Sequence, residues 1–245
     1  MKLASFNVWD SPAGMPHRQE QILSVLSSLH ADVLCLQETC TDFDFSSALP
    51  KLPFIARHKE AGLTTLSLYP IKEHRCIPYA LVTTIACGTY TLCAVNIHLP
   101  WHSALVREHT IVGIINAVDA MEVDYILFAG DFNCSETSAV HRFLCGEQSL
   151  MGHDAYFFDL AEAHAEQTGM PAAPTLDFRQ NPRWGTVDPP NTLEKSQRFD
   201  RILLANPYPN RMPVLRAFGQ FGHEISEVTH LAPSDHYGVY ACLDF

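Results

Sequence analysis

The segment Asp124–Asn133, DYILFAGDFN, is an apolar run that ends in a carboxylate and an amide. It reads as a strand over Asp124–Phe132 that delivers Asp131 and Asn133 at its end. Upstream, Ser103–Glu122 carries Ile111, Ile114, Ile115 and Val118 at the spacing of a helix with one buried face. Before that helix, Tyr90–His98 and Ala80–Ala86 read as strands joined by a tight turn at Cys87-Gly88, and Leu63–Leu68 as another. Towards the N-terminus, Leu3–Trp9 predicts a strand and Arg18–His30 an amphipathic helix built on Ile22, Leu23, Val25, Leu26 and Leu29. The run Asp32–Glu38 suits a strand covered on both faces. Towards the C-terminus, Ser135 reads as the N-cap of a helix with Glu136 near its positive end. Met170–Gln197 reads as a long loop, and Arg198–Leu204, Val214–Phe218 and Gly238–Phe245 as strands. No repeat, linker or low-complexity stretch divides the chain, so the expectation is one α/β domain over residues 1–245.

Composition narrows the function. With 27 Asp+Glu against 16 Lys+Arg the formal net charge is −11, which disfavours holding a long polyanion by charge alone. An enzyme that handles one phosphate at a time is not excluded. Hydrophobic residues make up 47% and charged residues 18%, an ordinary globular mixture. No apolar run approaches the roughly 18 residues of a membrane span, and Met1–Asp10 does not read as a signal peptide. The 8 cysteines are scattered, without a CxxC pair, so a reducing cytoplasm is the expected setting. Their spacing gives no zinc pattern, and the 13 histidines are mostly dispersed.

What stands out is the placement of polar residues at strand ends: Asn7, Gln37-Glu38, His98, Asp131, Asn133, Asp200 and Asp235-His236. Taken singly, an Asn or Asp there is more often a turn former, and a His or Glu an ordinary surface or hydrogen-bonded residue. Together they supply carboxylate oxygens for Mg²⁺, a hard cation, and imidazole and amide donors for phosphoryl oxygens. No GxSxG elbow or GxxxxGK[ST] loop competes. The chemistry such a set suits is attack of a metal-organised water on a phosphoester.

The ordered motifs SFNVW, LQE, NIHL, GDFN, RFDRI and SDH, spanning Ser5 to Phe245, resemble the endonuclease/exonuclease/phosphatase superfamily. DNase I, AP endonucleases, neutral sphingomyelinases, inositol-polyphosphate 5-phosphatases and poly(A) deadenylases belong to it. The resemblance implies a four-layer α/β/β/α sandwich of two mostly antiparallel sheets, with the site where loops of both sheets meet. It implies Glu38 as the principal Mg²⁺ ligand, with Mn²⁺ able to substitute, and Asp235 completing the metal environment. Asn7 would position the metal-side carboxylate and the phosphate. Asp131 would orient or deprotonate the attacking water, and Asn133 would bind a phosphate oxygen. His98 and His236, the latter oriented by Asp200, would stabilise charge in the transition state. Some nuclease members carry an acidic residue two positions after the first-motif Asn. Here that position is Trp9, so either Asp10 takes over or one metal position around Glu38 suffices. FNVW, the HL motif, RFDRI and SDHYG are also similar to the tyrosyl-DNA phosphodiesterase branch.

Four residues are expected on the substrate side. Leu99–Ser103 opens the helix carrying Arg107, and in many family members an Arg at this place supports the site. Trp101 either stacks on a base or aromatic leaving group or packs as a staple at the helix start. Arg179 and Arg183, among aromatics in TLDFRQNPRW, are candidates for phosphate contacts. The expected activity is Mg²⁺-dependent hydrolysis of a phosphodiester or phosphomonoester, on a short or terminal nucleic acid. The alternatives are an inositol-phosphate or sphingomyelin-type phosphoesterase and an inactive binding module of the same fold. No protein partner is called for, and a monomer is expected.

Overall fold

The computed structural model describes residues 1–39, 44–185 and 193–245. Cys40 and the stretch 186–192 of the expected loop lie outside the described residues. In chain order the elements are β1 (Lys2–Asn7), α1 (His17–Leu29), β2 (Val33–Gln37), α2 (Phe45–Ala48), β3 (Phe54–His58), β4 (Leu63–Ser67) and β5 (Ile71–Ile77). There follow β6 (Ala80–Ala86), β7 (Thr91–His98), α3 (Ala104–Val118), β8 (Tyr125–Asp131), α4 (Ala139–Leu144), β9 (Phe157–Asp159) and α5 (Leu160–Thr168). The chain closes with α6 (Pro182–Gly185), β10 (Asp200–Ala205), β11 (Val214–Phe221) and β12 (Gly238–Asp244).

Two six-stranded sheets form, in the orders β11-β12-β1-β2-β4-β3 and β5-β6-β7-β8-β10-β9. Each contains one parallel pair, β1/β2 and β7/β8, with α1 and α3 as the crossovers, and the remaining pairs are antiparallel. Apolar side chains fill three layers of core. Leu3, Val33, Ile85, Leu127, Ile202 and Val239 interdigitate between the sheets. Ile22, Leu26 and Phe45 cover the outer face of the first sheet against Phe6 and Leu34. Ile111, Ile114, Val140 and Phe143 cover the second against Val95 and Phe128. The result is the four-layer α/β/β/α sandwich.

A buried polar bridge crosses the middle of the sandwich near the strand ends. Gln37 Nε2 donates to Asn96 Oδ1 at 2.7 Å, and Asn96 Nδ2 donates to the carbonyls of Leu36 and Thr64, each at 3.0 Å. Gln37 of LQE and Asn96 of NIHL therefore join β2 to β7 and fix how the two sheets sit.

The structure corrects some boundaries. Ser138, not Ser135, caps α4, accepting from the His141 N–H at 3.2 Å. Ser135–Ser138 form a turn first, and Glu136 is drawn to Arg198 at 2.7 Å instead of to the helix end. The helix expected over Ser103–Glu122 begins after its Ser103 cap but ends at Val118. Strands β3 and β5, the three-residue β9 and helix α5 go beyond the elements the sequence predicts. β3, β5 and β9 are edge strands, and β5 exposes KEHRC.

Candidate active site

Strand pairing brings the polar strand ends together. Parallel register sets Asn7 beside Gln37 and His98 beside Asp131, and antiparallel register sets Asp200 beside Asp131. Gly130 permits this closeness, because a Cβ there would lie 1.9 Å from the Ile97 carbonyl oxygen. Immediately beyond the strands the chain turns sharply. Trp9, Glu38 and Asn133 adopt left-handed φ values of 56°, 57° and 48°. Such backbone is costly for residues with a Cβ and is found where side chains must be aimed.

The side chains converge. Trp9 N–H donates to Asn7 Oδ1 at 2.9 Å, which turns the Asn7 amide nitrogen towards two carboxylates. Asn7 Nδ2 donates to Glu38 Oε1 at 2.9 Å and to Asp131 Oδ2 at 3.2 Å. His98 Nε2 faces the same two oxygens at 3.8 and 3.7 Å. Asp131 Oδ1 also accepts the Asn133 backbone N–H at 2.8 Å, and Asn133 Nδ2 is held by the Leu99 carbonyl at 2.9 Å. Asp10 is exposed, and its backbone N–H donates to Glu38 Oε2 at 2.8 Å.

Across from Asp131, His236 Nδ1 pairs with the fully buried Asp200 at 2.8 Å, leaving Nε2 3.9 Å from Asp131 Oδ2. Thr175 Oγ1 accepts the Asp200 N–H at 3.0 Å. Burial opposes charge on this imidazole. Asp200, then Asp131 and Asp235, outweigh it and hold His236 well above the ordinary histidine value. Burial pushes the neighbouring Asp235 carboxyl up to about 6 against the pull of His236, with Glu38 and Asp131 adding to the rise. Glu38 and Asp131 thus add like charge around Asp235, and hard oxygen donors gathered in this way suit a divalent cation. Among the described residues here, Asp131, Asp200 and His236 have ligand atoms within 4.8 Å of one another, and Glu38, Asp10 and Asp235 line the same cavity.

These groups open onto a cavity of about 1130 Å³. Asp10, Glu38, His98, Trp101, Arg107, Asp131, Asn133, Asp235 and His236 all line it, with Asn7 and Asp200 buried behind them. Trp101 is 77% exposed, so it stands in the opening and does not pack as a staple. Arg107 lines the wall but its Nη1 is committed to the carbonyls of Pro100 and Trp101, at 3.0 and 2.8 Å, so it shapes the loop that carries Trp101. Arg179 and Arg183 do not line the cavity. From their segment Phe178 and Trp184 do, and the Arg183 guanidinium sits over the rings of Trp9 and Trp184.

Three supporting residues are not among the expected site residues, although Ser234 belongs to the SDH motif. Arg18, wholly buried on α1, donates to the carbonyls of Val8, Trp9, Ser11, Ala13 and Pro233 and so ties the loop after β1 to the loop before Asp235. Ser234 Oγ donates to the Asn7 carbonyl at 2.6 Å. Lys195 brings a cation to the cavity wall from the segment following the stretch 186–192.

The fold and this constellation define a phosphoesterase scaffold. The profile of the Endonuclease/Exonuclease/phosphatase family matches residues 4–236, and the chain belongs to that family. Among solved structures it is similar to *D. rerio* TDP2 complexed with a single-strand DNA product: 19% identity, TM-score 0.76, covering 100% of this chain and 99% of that one. It is also similar to truncated *Caenorhabditis elegans* TDP2 (16%, 0.73, 100% and 97%). An endonuclease/exonuclease/phosphatase from *Bacteroides vulgatus* is a third (15%, 0.73, 100% and 98%). At these identities the likeness shows the fold. No curated protein matches by sequence. Among the described residues, no helix is long and apolar enough to cross a membrane.

Proposed function

We propose that the protein is a Mg²⁺-dependent phosphodiesterase, with Mn²⁺ able to substitute, that acts on a short or terminal nucleic acid phosphoester. The observation that carries this reading is the shared set of contacts in one cavity: Asn7 and His98 face both Glu38 and Asp131, beside the Asp200–His236 pair. Mg²⁺ held at Glu38, with Asp10 and Asp235 near it, would offset phosphate charge and acidify a water. Asp131, fixed by Asn7 and Asn133, aligns the attacking water and takes its proton. As the new P–O bond forms and the old one breaks, charge grows on the non-bridging oxygens. His236, kept protonated by its carboxylate neighbours, and His98 donate to those oxygens, and Asn133 binds a further one. The leaving oxygen takes its proton from solvent.

Trp101, Phe178 and Trp184 on the wall give a base or aryl group surfaces to stack on, a contact of about 1–3 kcal/mol per base. The single-strand DNA product in *D. rerio* TDP2 supports a nucleic acid substrate. The test is a substrate panel of 5′-tyrosyl DNA, abasic duplex, single-stranded RNA, sphingomyelin and inositol phosphates, each with Mg²⁺ and with EDTA. Release from a nucleic acid terminus that EDTA abolishes is expected. Activity indifferent to EDTA overturns the metal reading, and no hydrolysis of any substrate favours the inactive binding module.

A further inference from the structure

Away from the residues that line the cavity, α4 and α5 assemble a second group of ligating side chains. His141 lies on α4 and Cys145 caps its C-terminus four residues later, on the same face, while Glu162 comes from the first turn of α5. His141 Nε2 is 3.1 Å from Glu162 Oε1 and 3.6 Å from Cys145 Sγ, and the three ligand atoms all lie within 4.8 Å of one another. Tetrahedral zinc, with its usual bond lengths to imidazole, carboxylate and thiolate, implies ligand–ligand edges of about 3.4 Å for N–O and about 3.5 Å for N–S. Two of the three edges are already close to those lengths.

Two further observations point the same way. His141 Nδ1 is buried without a hydrogen-bond partner and faces Asp159 Oδ2 at 3.9 Å. A carboxylate behind the far nitrogen is the usual support of a metal-bound imidazole. The charge also fits. Around the group, the carboxylates of Glu136, Asp159, Glu162 and Glu147 face the guanidinium groups of Arg198, Arg201 and Arg142, which leaves one negative charge. A divalent cation together with a Cys145 thiolate brings that sum to zero. The thiol proton leaves to solvent as the cation binds. Glu162 and Cys145 reach the surface, which admits an ion and leaves a fourth position for water.

We propose that His141, Cys145 and Glu162 form a second cation site, separate from the carboxylate cavity and selective for a borderline-soft ion such as Zn²⁺ over Mg²⁺. The sequence shows no CxxC, and only the packing of α5 on α4 completes the ligand set.

The test titrates Co²⁺ into the full chain in saturating Mg²⁺ and reads the near-ultraviolet sulfur-to-cobalt charge-transfer absorption, which requires a thiolate ligand. A band that saturates at one equivalent and is bleached by Zn²⁺ is expected. Cys145→Ser should abolish it while circular dichroism is unchanged, and Cys76→Ser, at the exposed thiol, should retain it. Glu162→Gln should weaken apparent Co²⁺ affinity about tenfold or more. No band in the wild type, a band that survives Cys145→Ser, or unaltered affinity in Glu162→Gln overturns the site. None of these readouts depends on the phosphoesterase reading.

Discussion

Charge placement around His236 decides the chemistry at the scale of single residues. One ring nitrogen is taken by Asp200 at 2.8 Å, so the other is left to point at Asp131 and the cavity. His236→Asn keeps a donor but loses the imidazolium, and turnover on a chromogenic phosphodiester should fall about a hundredfold or more with little change in KM. Near wild-type turnover would remove His236 from the reaction. The pair also ties stability to pH. Because the folded-state value of His236 is raised, its contribution is fully present below the unfolded histidine value of about 6.5 and is lost as pH rises through the raised value. Thermal melts in EDTA should show an alkaline decline in Tm for the wild type that is shallower in His236→Asn. Equal slopes would contradict the assignment.

Strands and their cross-links explain why the site residues meet. Registers of β1/β2, β7/β8 and β8/β10 place Asn7, Glu38, His98, Asp131 and Asp200 at one end of both sheets, and the Gln37–Asn96 bridge holds the sheets in that relation. Asn96→Ala removes the link from Gln37 across the sandwich and the side-chain donor to the carbonyls of Leu36 and Thr64, while Gln37 Nε2 keeps Ser5 Oγ and the Cys35 carbonyl. The expected loss is about 2–3 kcal/mol of folding stability, measured by urea unfolding, and activity should fall along with it. A loss below about 0.5 kcal/mol would mean that water repairs the gap. The element scale is also where pattern reading was uneven. Strands buried on both faces, such as VLCLQ and TLCAVNIH, announce themselves by unbroken apolar runs, whereas β3 and β5 lie at sheet edges with polar surfaces and do not.

At the scale of the whole molecule, acidity and function are reconciled by localisation. The net charge of −11 includes Glu38, Asp131, Asp200 and Asp235, gathered in one cavity that a divalent cation would partly neutralise. The rest of the surface gives a polyanion little to hold. The KM for a single-stranded oligonucleotide should therefore depend weakly on salt. A log–log slope of magnitude about 2 or less corresponds to two or three phosphate contacts. A slope of about 5 would mean a long basic track that this chain lacks.

The sequence by itself determined the central strands and the two crossover helices in their order, the α/β class and the motif residues that end the strands. Apolar period and terminal polarity are local properties, written residue by residue. Tertiary structure alone decided which residues share the cavity and which do not. Arg18 becomes a brace only because loops after β1 and before Asp235 close over it, and Arg183 is turned onto Trp9 and Trp184 while Lys195 reaches the wall. The cluster of His141, Cys145 and Glu162 likewise exists only where α5 packs beside α4. Such neighbours are set by long-range packing between segments far apart in the chain, which no local pattern encodes.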